Sequence, residues 1–264
     1  MATSWDPFGL DGRGAVVTGG GQGLGRAICE ALASAGARVA VVDHDGDLAD
    51  DVARALPTEA VAIVADVRSK ADLDDVASEV VTRFGSIRTW VNNVGGMAGA
   101  PAGPSIDVPQ ADFERVVELN LTATFLSCQT AIAHMLSRET GGTIVNVCSL
   151  QGVQAAPQLA AYGAAKAAVA HLTRTLALEY ARAGIRVNAV APSFVETPAS
   201  AALVSTERRE QSIRAIPLGF LSAPADVAGT VLAFASDLTR FVTGQIVVAD
   251  GGLSLTTARP HRGA

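Results

Sequence analysis

The sequence predicts an α/β protein, a doubly wound and mostly parallel sheet with helices on both faces. Short β-branched runs alternate with longer alanine-rich stretches, as repeated βαβ units require. The first of these runs leads at once into a cluster of glycines, T-G-G-G-Q-G-L-G from Thr18 to Gly25. With 264 residues, 49% of them hydrophobic, the chain has enough apolar material for one such sheet covered on both sides. One domain over 1–264 is expected, with its core at about 12–253.

The elements follow in order. Residues 14–18 read as the first strand and 24–35 as a helix, with Gly36 as its stop. A strand at 38–43, a helix at 48–55 and a strand at 61–64 complete the first half-sheet. Ser69 is placed to cap a helix running through Phe84. A strand at 89–92 precedes a long helix over 112–136, supported by Phe113, Val116, Val117 and Leu119. Next come a buried strand at 143–149, a helix at 159–180 and a strand at 186–190 that Pro192 should stop. A helix at 224–235 and a strand at 245–249 finish the pattern. Two stretches fall outside it: the Gly- and Pro-rich 95–109, and 196–223, which is expected to act as a substrate lid. The tail, 256–264, has little apolar content and should be mobile or packed on a neighbouring subunit.

Composition removes several function classes. The net charge is −6 and the arginines are scattered among acids, which argues against nucleic acid as a partner. No apolar run approaches the ~20 residues of a membrane span. The first residues lack a basic start and an apolar segment, so no secretory signal is expected and the cytoplasm is the default address. Cys29, Cys128 and Cys148 lack ligand spacing and read as buried thiols. His44, His134, His171 and His261 are too dispersed for a metal cluster, and no catalytic metal is expected. A small molecule is the expected partner.

A strand, closely spaced glycines and then a helix let the backbone approach a pyrophosphate, whose charge the helix N-terminus favours. Gly19, Gly23 and Gly25 fill those positions, in T-G-x-x-x-G-x-G spacing rather than the commoner G-x-G-x-x-G. Gln22 and Leu24 lie within the same turn. Asp43 ends the second strand, where a carboxylate accepts hydrogen bonds from an adenosine ribose and repels a 2′-phosphate. This Rossmann-type arrangement predicts NAD as cofactor, with NADP disfavoured. Downstream, Tyr162 and Lys166 lie four apart and share one helix face, so phenol and ammonium can act on the same molecule.

In order and together these motifs resemble the short-chain dehydrogenase/reductase family, over nearly the whole chain from Thr18 to Gly252. Asp66-Val67 looks like the family's adenine-contacting pair, and N-N-V-G at Asn92 to Gly95, with Asn93 and Gly95 facing the cofactor, resembles its N-N-A-G element. Asn120, Ser149, Tyr162 and Lys166 match the catalytic tetrad. P-S-F-V-E-T at Pro192 to Thr197 resembles the loop over the nicotinamide, with Val195 and Thr197 at the cofactor, and D-G-G at Asp250 to Gly252 also fits. Val94 stands where alanine is usual and Ser193 where glycine is, the latter removing backbone freedom.

The resemblance implies hydride transfer between NAD(H) and a secondary alcohol or ketone. Tyr162 is then the general acid/base, Lys166 lowers its pKa and binds the nicotinamide ribose, Ser149 orients the substrate oxygen, and Asn120 holds a proton-relaying water. Tyr162 and Lys166 thereby also count among the cofactor-binding residues. Met97, Gln151, Leu159 and Phe194 are the expected substrate contacts, with apolar lid residues Ala201, Leu203, Ile213, Ile216, Leu218 and Phe220 closing over a mainly apolar or cyclic substrate. A 3-oxoacyl thioester reductase is the rival enzyme, and a non-catalytic dinucleotide-responsive regulator the rival from another class. A homotetramer is expected from the family's habit and from the small residues at Ala160, Ala161, Ala164, Ala165, Ala167, Ala168 and Ala170.

Overall fold

The computed structural model describes residues 6–139, 141–197 and 205–256. Seven strands form one parallel sheet in the order β3-β2-β1-β4-β5-β6-β7. They are β1 (Gly14–Thr18), β2 (Arg38–Asp43), β3 (Ala60–Val64), β4 (Thr89–Asn92), β5 (Gly142–Val147), β6 (Ile185–Pro192) and β7 (Ile246–Ala249). The helices are α1 (Gly23–Ser34), α2 (Gly46–Ala55), α3 (Lys70–Phe84), α4 (Gln110–Val117), α5 (Ala123–Ser137), α6 (Ala160–Tyr180), α7 (Thr206–Ala215) and α8 (Pro224–Ala235).

Alternation along each strand divides the core into two layers. Val16, Trp90 and Ile144 face α3, α5 and α6, whereas Val17, Val91 and Val145 face α1, α2 and α8. Both faces being covered explains why the strands read as continuous apolar runs. The cap expected from the sequence acts as such, Ser69 accepting from the Asp72 amide, and Asp45 caps α2 by accepting from the amides of Asp47 and Leu48. All three cysteines are free and buried.

Four details differ from the sequence reading. The helix expected over 112–136 is interrupted by a π turn at Glu118–Thr122, where the Ala123 amide bonds the Glu118 carbonyl. Apolar periodicity cannot reveal one inserted residue, because the faces before and after it remain apolar. The combined stretch Gln110–Ser137 is long and apolar enough for a membrane span, but half of its most apolar window is buried inside the protein. β6 runs through Pro192, which is paired with Ala249 at the very end of the ladder, where a missing N–H costs least. β5 stops at Val147, so that Ser149 lies beyond the strand and caps a short 3₁₀ turn, Leu150–Gly152. The stretch 196–223 contains a helix of its own, α7. Residues Ala201 and Leu203 of the expected lid, and most of the expected tail, lie outside the described residues.

Candidate functional site

The strand order reverses between β1 and β4, and crevices at such points, beyond the carboxyl ends of the strands, hold ligands in doubly wound sheets. The glycine turn follows β1 and the Asn92–Gly95 segment follows β4, so both meet there. Asn93 holds them together: its side-chain amide donates to the carbonyls of Thr18 and Gly19, and its backbone N–H to the Thr18 hydroxyl. A Cβ on Gly25 would stand 1.8 Å from the Gly19 carbonyl oxygen, so only glycine allows α1 to start this close to β1. Gln22 gives α1 no side-chain cap, which leaves its first N–H groups open to an anion.

The resulting cleft has a volume of about 580 Å³. Leu24, Asp43, Asp66, Val67, Asn93 and Thr197 are among its walls. Asp43 is buried; one oxygen accepts the Gly21 amide at 3.0 Å and the other accepts the Asp45 amide and faces His44 Nδ1 at 2.8 Å. The sequence puts no arginine beside Asp43, but the fold brings Arg68 into the same cleft. Its guanidinium is held by Asp66 through Nε and Nη2, at 2.6 Å for the shortest contact. Arg68 thereby holds the Asp66 carboxyl below the usual range. Nothing in the local sequence at Asp43 signals this neighbour. The Thr197 side chain lies against Gly23, 3.3 Å from where a Cβ would be, and closes the cleft from the β6 side. The glycine cradle, the uncapped helix end and the buried carboxylate together fit a dinucleotide.

Beyond β5, Ser149, Tyr162 and Lys166 converge. Ser149 donates to Gln151 Oε1 at 2.6 Å and accepts the Gln151 amide. Lys166 is buried, with Nζ donating to the Val147 carbonyl at 2.9 Å and lying 5.9 Å from the Tyr162 ring centre. Gly152 lets α6 come this near, since a Cβ there would meet the Lys166 backbone at 2.7 Å. Burial dominates the electrostatics. It raises the Tyr162 phenol, an effect partly offset by hydrogen bonding with Ser149, and it pushes Lys166 down to about 8. The Lys166 ammonium bonds the Val147 carbonyl and stands across the Tyr162 ring.

Asn120 sits in the π turn, fully buried. Its amide donates to the carbonyls of Gly96 and Val116 and accepts the Gly96 N–H, so the side chain is fully occupied in fastening the loop after β4. A Cβ on Gly95 would stand 2.7 Å from both Asn120 Oδ1 and Lys166 Nζ, which brings these two groups together over one face of the glycine. Of the two departures from the family pattern, Val94 packs against the sheet core and against Gly19, and Ser193 adopts an ordinary negative φ, so no glycine is required there.

On the substrate side, Met97 and Leu159 meet around a void of only about 10 Å³. Ala98 and Gln158, beside them in sequence, both have positive φ, so both flanking loops carry backbone strain. Gln151 is half-buried beside Ser149, and Phe194 stands half-exposed after β6. Ile216, Leu218 and Phe220, expected in the lid over the substrate, instead line a separate cleft at the turn Asp250–Gly252. The Leu218 amide bonds the Gly251 carbonyl, and this backbone tie draws the apolar side chains toward β7.

Lys166 makes stability depend on pH. Its folded value, about 8, is below the ordinary 10.5, so between these values the unfolded chain holds a proton that the folded chain has released. Stability from this group therefore rises with pH across that window, and below about 8 the full cost of the buried ammonium is present. Lys166→Met should be more stable than the wild type at pH 7 by on the order of 3 kcal/mol, and the advantage should shrink toward pH 10. Urea unfolding of both cofactor-free proteins at the two pH values checks this; an advantage that does not change with pH would refute it.

Comparison with known proteins agrees with this geometry. A family model described as enoyl-(acyl carrier protein) reductase matches residues 19–254. The 3β-hydroxysteroid dehydrogenase 1 of Eggerthella lenta is 38% identical over 252 residues, covering 93% of this chain and 95% of that protein. Galactitol 2-dehydrogenase of Rhizobium johnstonii is 39% identical over 255 residues, covering 94% and 97%. A crystal structure of a short-chain type dehydrogenase/reductase from Mycobacterium marinum superposes with a TM-score of 0.87 at 32% identity, over 95% of this chain and 99% of that one. The chain belongs to the short-chain dehydrogenase/reductase family, whose members are nicotinamide-dependent oxidoreductases.

Proposed function

We propose that this protein transfers a hydride between NAD(H) and a secondary alcohol/ketone pair on a mainly apolar or cyclic carrier. The observation that carries this reading is the convergence of Ser149, Tyr162 and Lys166 beyond β5, next to the cleft that contains Asp43. When bound, the nicotinamide supplies the hydride donor or acceptor. The Tyr162 hydroxyl exchanges the proton with the substrate oxygen, and Ser149, already polarised by Gln151, orients that oxygen. Lys166 contributes charge and a ribose contact, while Asn120 sets the loop after β4 and, by the family resemblance, would hold a proton-relaying water.

The similarity to a hydroxysteroid dehydrogenase supports a cyclic apolar substrate, and the similarity to a galactitol dehydrogenase supports the alternative of a polyol. Leu159, Met97 and Phe194 offer few hydrogen bonds to hydroxyls, which favours the former. Similarity to the 3-oxoacyl-[acyl-carrier-protein] reductase of Thermotoga maritima, 35% identical over 247 residues, supports a second reading, a 3-oxoacyl thioester reductase. Turnover of cyclic ketones, hydroxysteroids, 3-oxoacyl thioesters and sugar alcohols separates the three: thioester or polyol turnover alone displaces the first reading. No turnover of any of them would favour a non-catalytic regulator. With the best substrate, Tyr162→Phe should lower kcat by about 10²–10⁴-fold with cofactor affinity nearly kept. Retention of more than about a tenth of the rate would remove Tyr162 from its role.

NAD is the proposed cofactor because the buried Asp43 carboxylate repels a 2′-phosphate, and Arg68, the cation in the same cleft, is already paired with Asp66. The kcat/KM for NAD should exceed that for NADP, and Asp43→Ser should narrow the ratio; a wild-type preference for NADP overturns the assignment. Three unpaired cysteines suit a reducing compartment, in line with a cytoplasmic enzyme. We further propose a homotetramer. Phe125 and Leu136 on α5, and Ala160, Ala164, Ala167 and Leu178 on α6, present an exposed apolar surface on two long helices. Light scattering should read four chain masses at micromolar concentration, and one chain mass refutes this.

A further inference from the structure

At the amino-terminal edge of the sheet, opposite the dinucleotide cleft, lies a second cavity of about 490 Å³. It opens where β1, β4, β5 and β6 begin, and Arg13 and Arg88 are the residues immediately ahead of β1 and β4. Arg186 at the start of β6, and Arg240 and Phe241 in the turn after α8, complete the wall with Asp237. Four guanidinium groups therefore share one carboxylate, and the cavity wall carries three uncompensated positive charges.

The arginines differ in how they are used. Arg186 spends its donors on the fold, bonding the carbonyls of Phe234, Ser236 and Val242 and the Thr239 hydroxyl. Arg13 reaches Asp237 with one nitrogen at 3.3 Å. Arg88 and Arg240 make no side-chain hydrogen bond or ion pair to any described residue. Arg88 is half-buried, and its guanidinium is pushed below its ordinary pKa first by burial and then by the like charge of Arg13. Asp237 is the one carboxylate beside the two groups, paired directly with Arg13 and offsetting the charge on Arg88 only in part, and an anion placed between them removes the remaining repulsion. The planar guanidinium fork suits phosphate oxygens, and the cavity volume falls within the ordinary range for small-molecule sites. Phe241, fully exposed at 101%, supplies apolar surface at the same wall.

We propose that this cavity binds a phosphate-bearing small molecule, with the phosphate between Arg13, Arg88 and Arg240. The phosphate could be free orthophosphate or belong to a ring-bearing ester whose ring lies on Phe241. Titration calorimetry of the cofactor-free protein with orthophosphate and with phenyl phosphate, at constant ionic strength, tests this. Saturable binding is expected, weakened about tenfold to a hundredfold in Arg88→Gln and in Arg240→Gln. Arg240 is exposed, so its variant should fold and keep wild-type turnover. Tighter binding of phenyl phosphate that Phe241→Ala reduces to the orthophosphate level assigns a ring-bearing ligand, and equal affinity assigns the phosphate alone. Absence of saturable binding to the wild type, or unchanged binding in both arginine variants, overturns the proposal.

Discussion

The site depends on one constraint, the distance at which the backbone after β1 can pass the start of α1 and the end of β4. Gly25 has no space for a Cβ against the Gly19 carbonyl, and Asn93 accounts for the carbonyls of Thr18 and Gly19 that the turn would otherwise leave without partners. The Thr18 hydroxyl closes the same seam by donating to Val91 and accepting from Asn93. These bonds join the two strands at which the sheet reverses its winding. The cleft exists because the chains leaving them part to opposite faces. A larger residue in the turn would move α1, and with it the open N–H groups that face a pyrophosphate.

A buried polar chain supports the reactive end from below. Trp90 and Ser127 both donate to Asn92 Oδ1, Asn92 donates to Asn146, and Asn146 donates to Thr173. The chain crosses from β4 to β5 and is tied into α5 and α6, the helices that bear or adjoin Asn120 and Lys166. Polar groups in a core lose hydration, and they are stabilising only when every partner is present and in place. That requirement gives β4, β5, α5 and α6 one mutual arrangement. It also fixes the position of Lys166, a buried cation whose ammonium, among the described residues, hydrogen-bonds the Val147 carbonyl alone. Desolvation drives both Tyr162 and Lys166 toward their neutral forms, so the site is held by geometry that opposes its own charges.

What the sequence made legible is what depends on short spacing. The glycine turn, Asp43 at the end of β2, Ser69 as a helix cap, and the shared face of Tyr162 and Lys166 follow from backbone conformation and helix period within a few residues. Features created by long-range packing were not legible. Arg68 enters the cleft only because β2 and β3 lie side by side, and it is paired there with Asp66. The π turn that aims Asn120 at Gly96 is hidden by an apolar pattern that reads equally well as one helix. Ile216 and Leu218 look like lid residues until the Leu218–Gly251 bond draws them to β7. Each of these was decided by a contact between segments distant in the chain, which no local propensity encodes.

The two cavities lie at opposite ends of the same strands, and this limits how one can influence the other. Arg13 and Arg88 precede β1 and β4, while Thr18 and Asn92 end them. The connecting strands are five and four residues long, fully buried and paired on both sides. Coupling between sites requires an element with two arrangements that both ligands bias, and a short strand in an intact ladder has one. An anion at the amino-terminal edge therefore acts on the folded state as a whole, by binding it in preference to the unfolded chain and by relieving the repulsion between Arg13 and Arg88. Its contribution is to the stability of the sheet, and the chemistry at Tyr162 proceeds from a frame whose geometry it leaves unchanged.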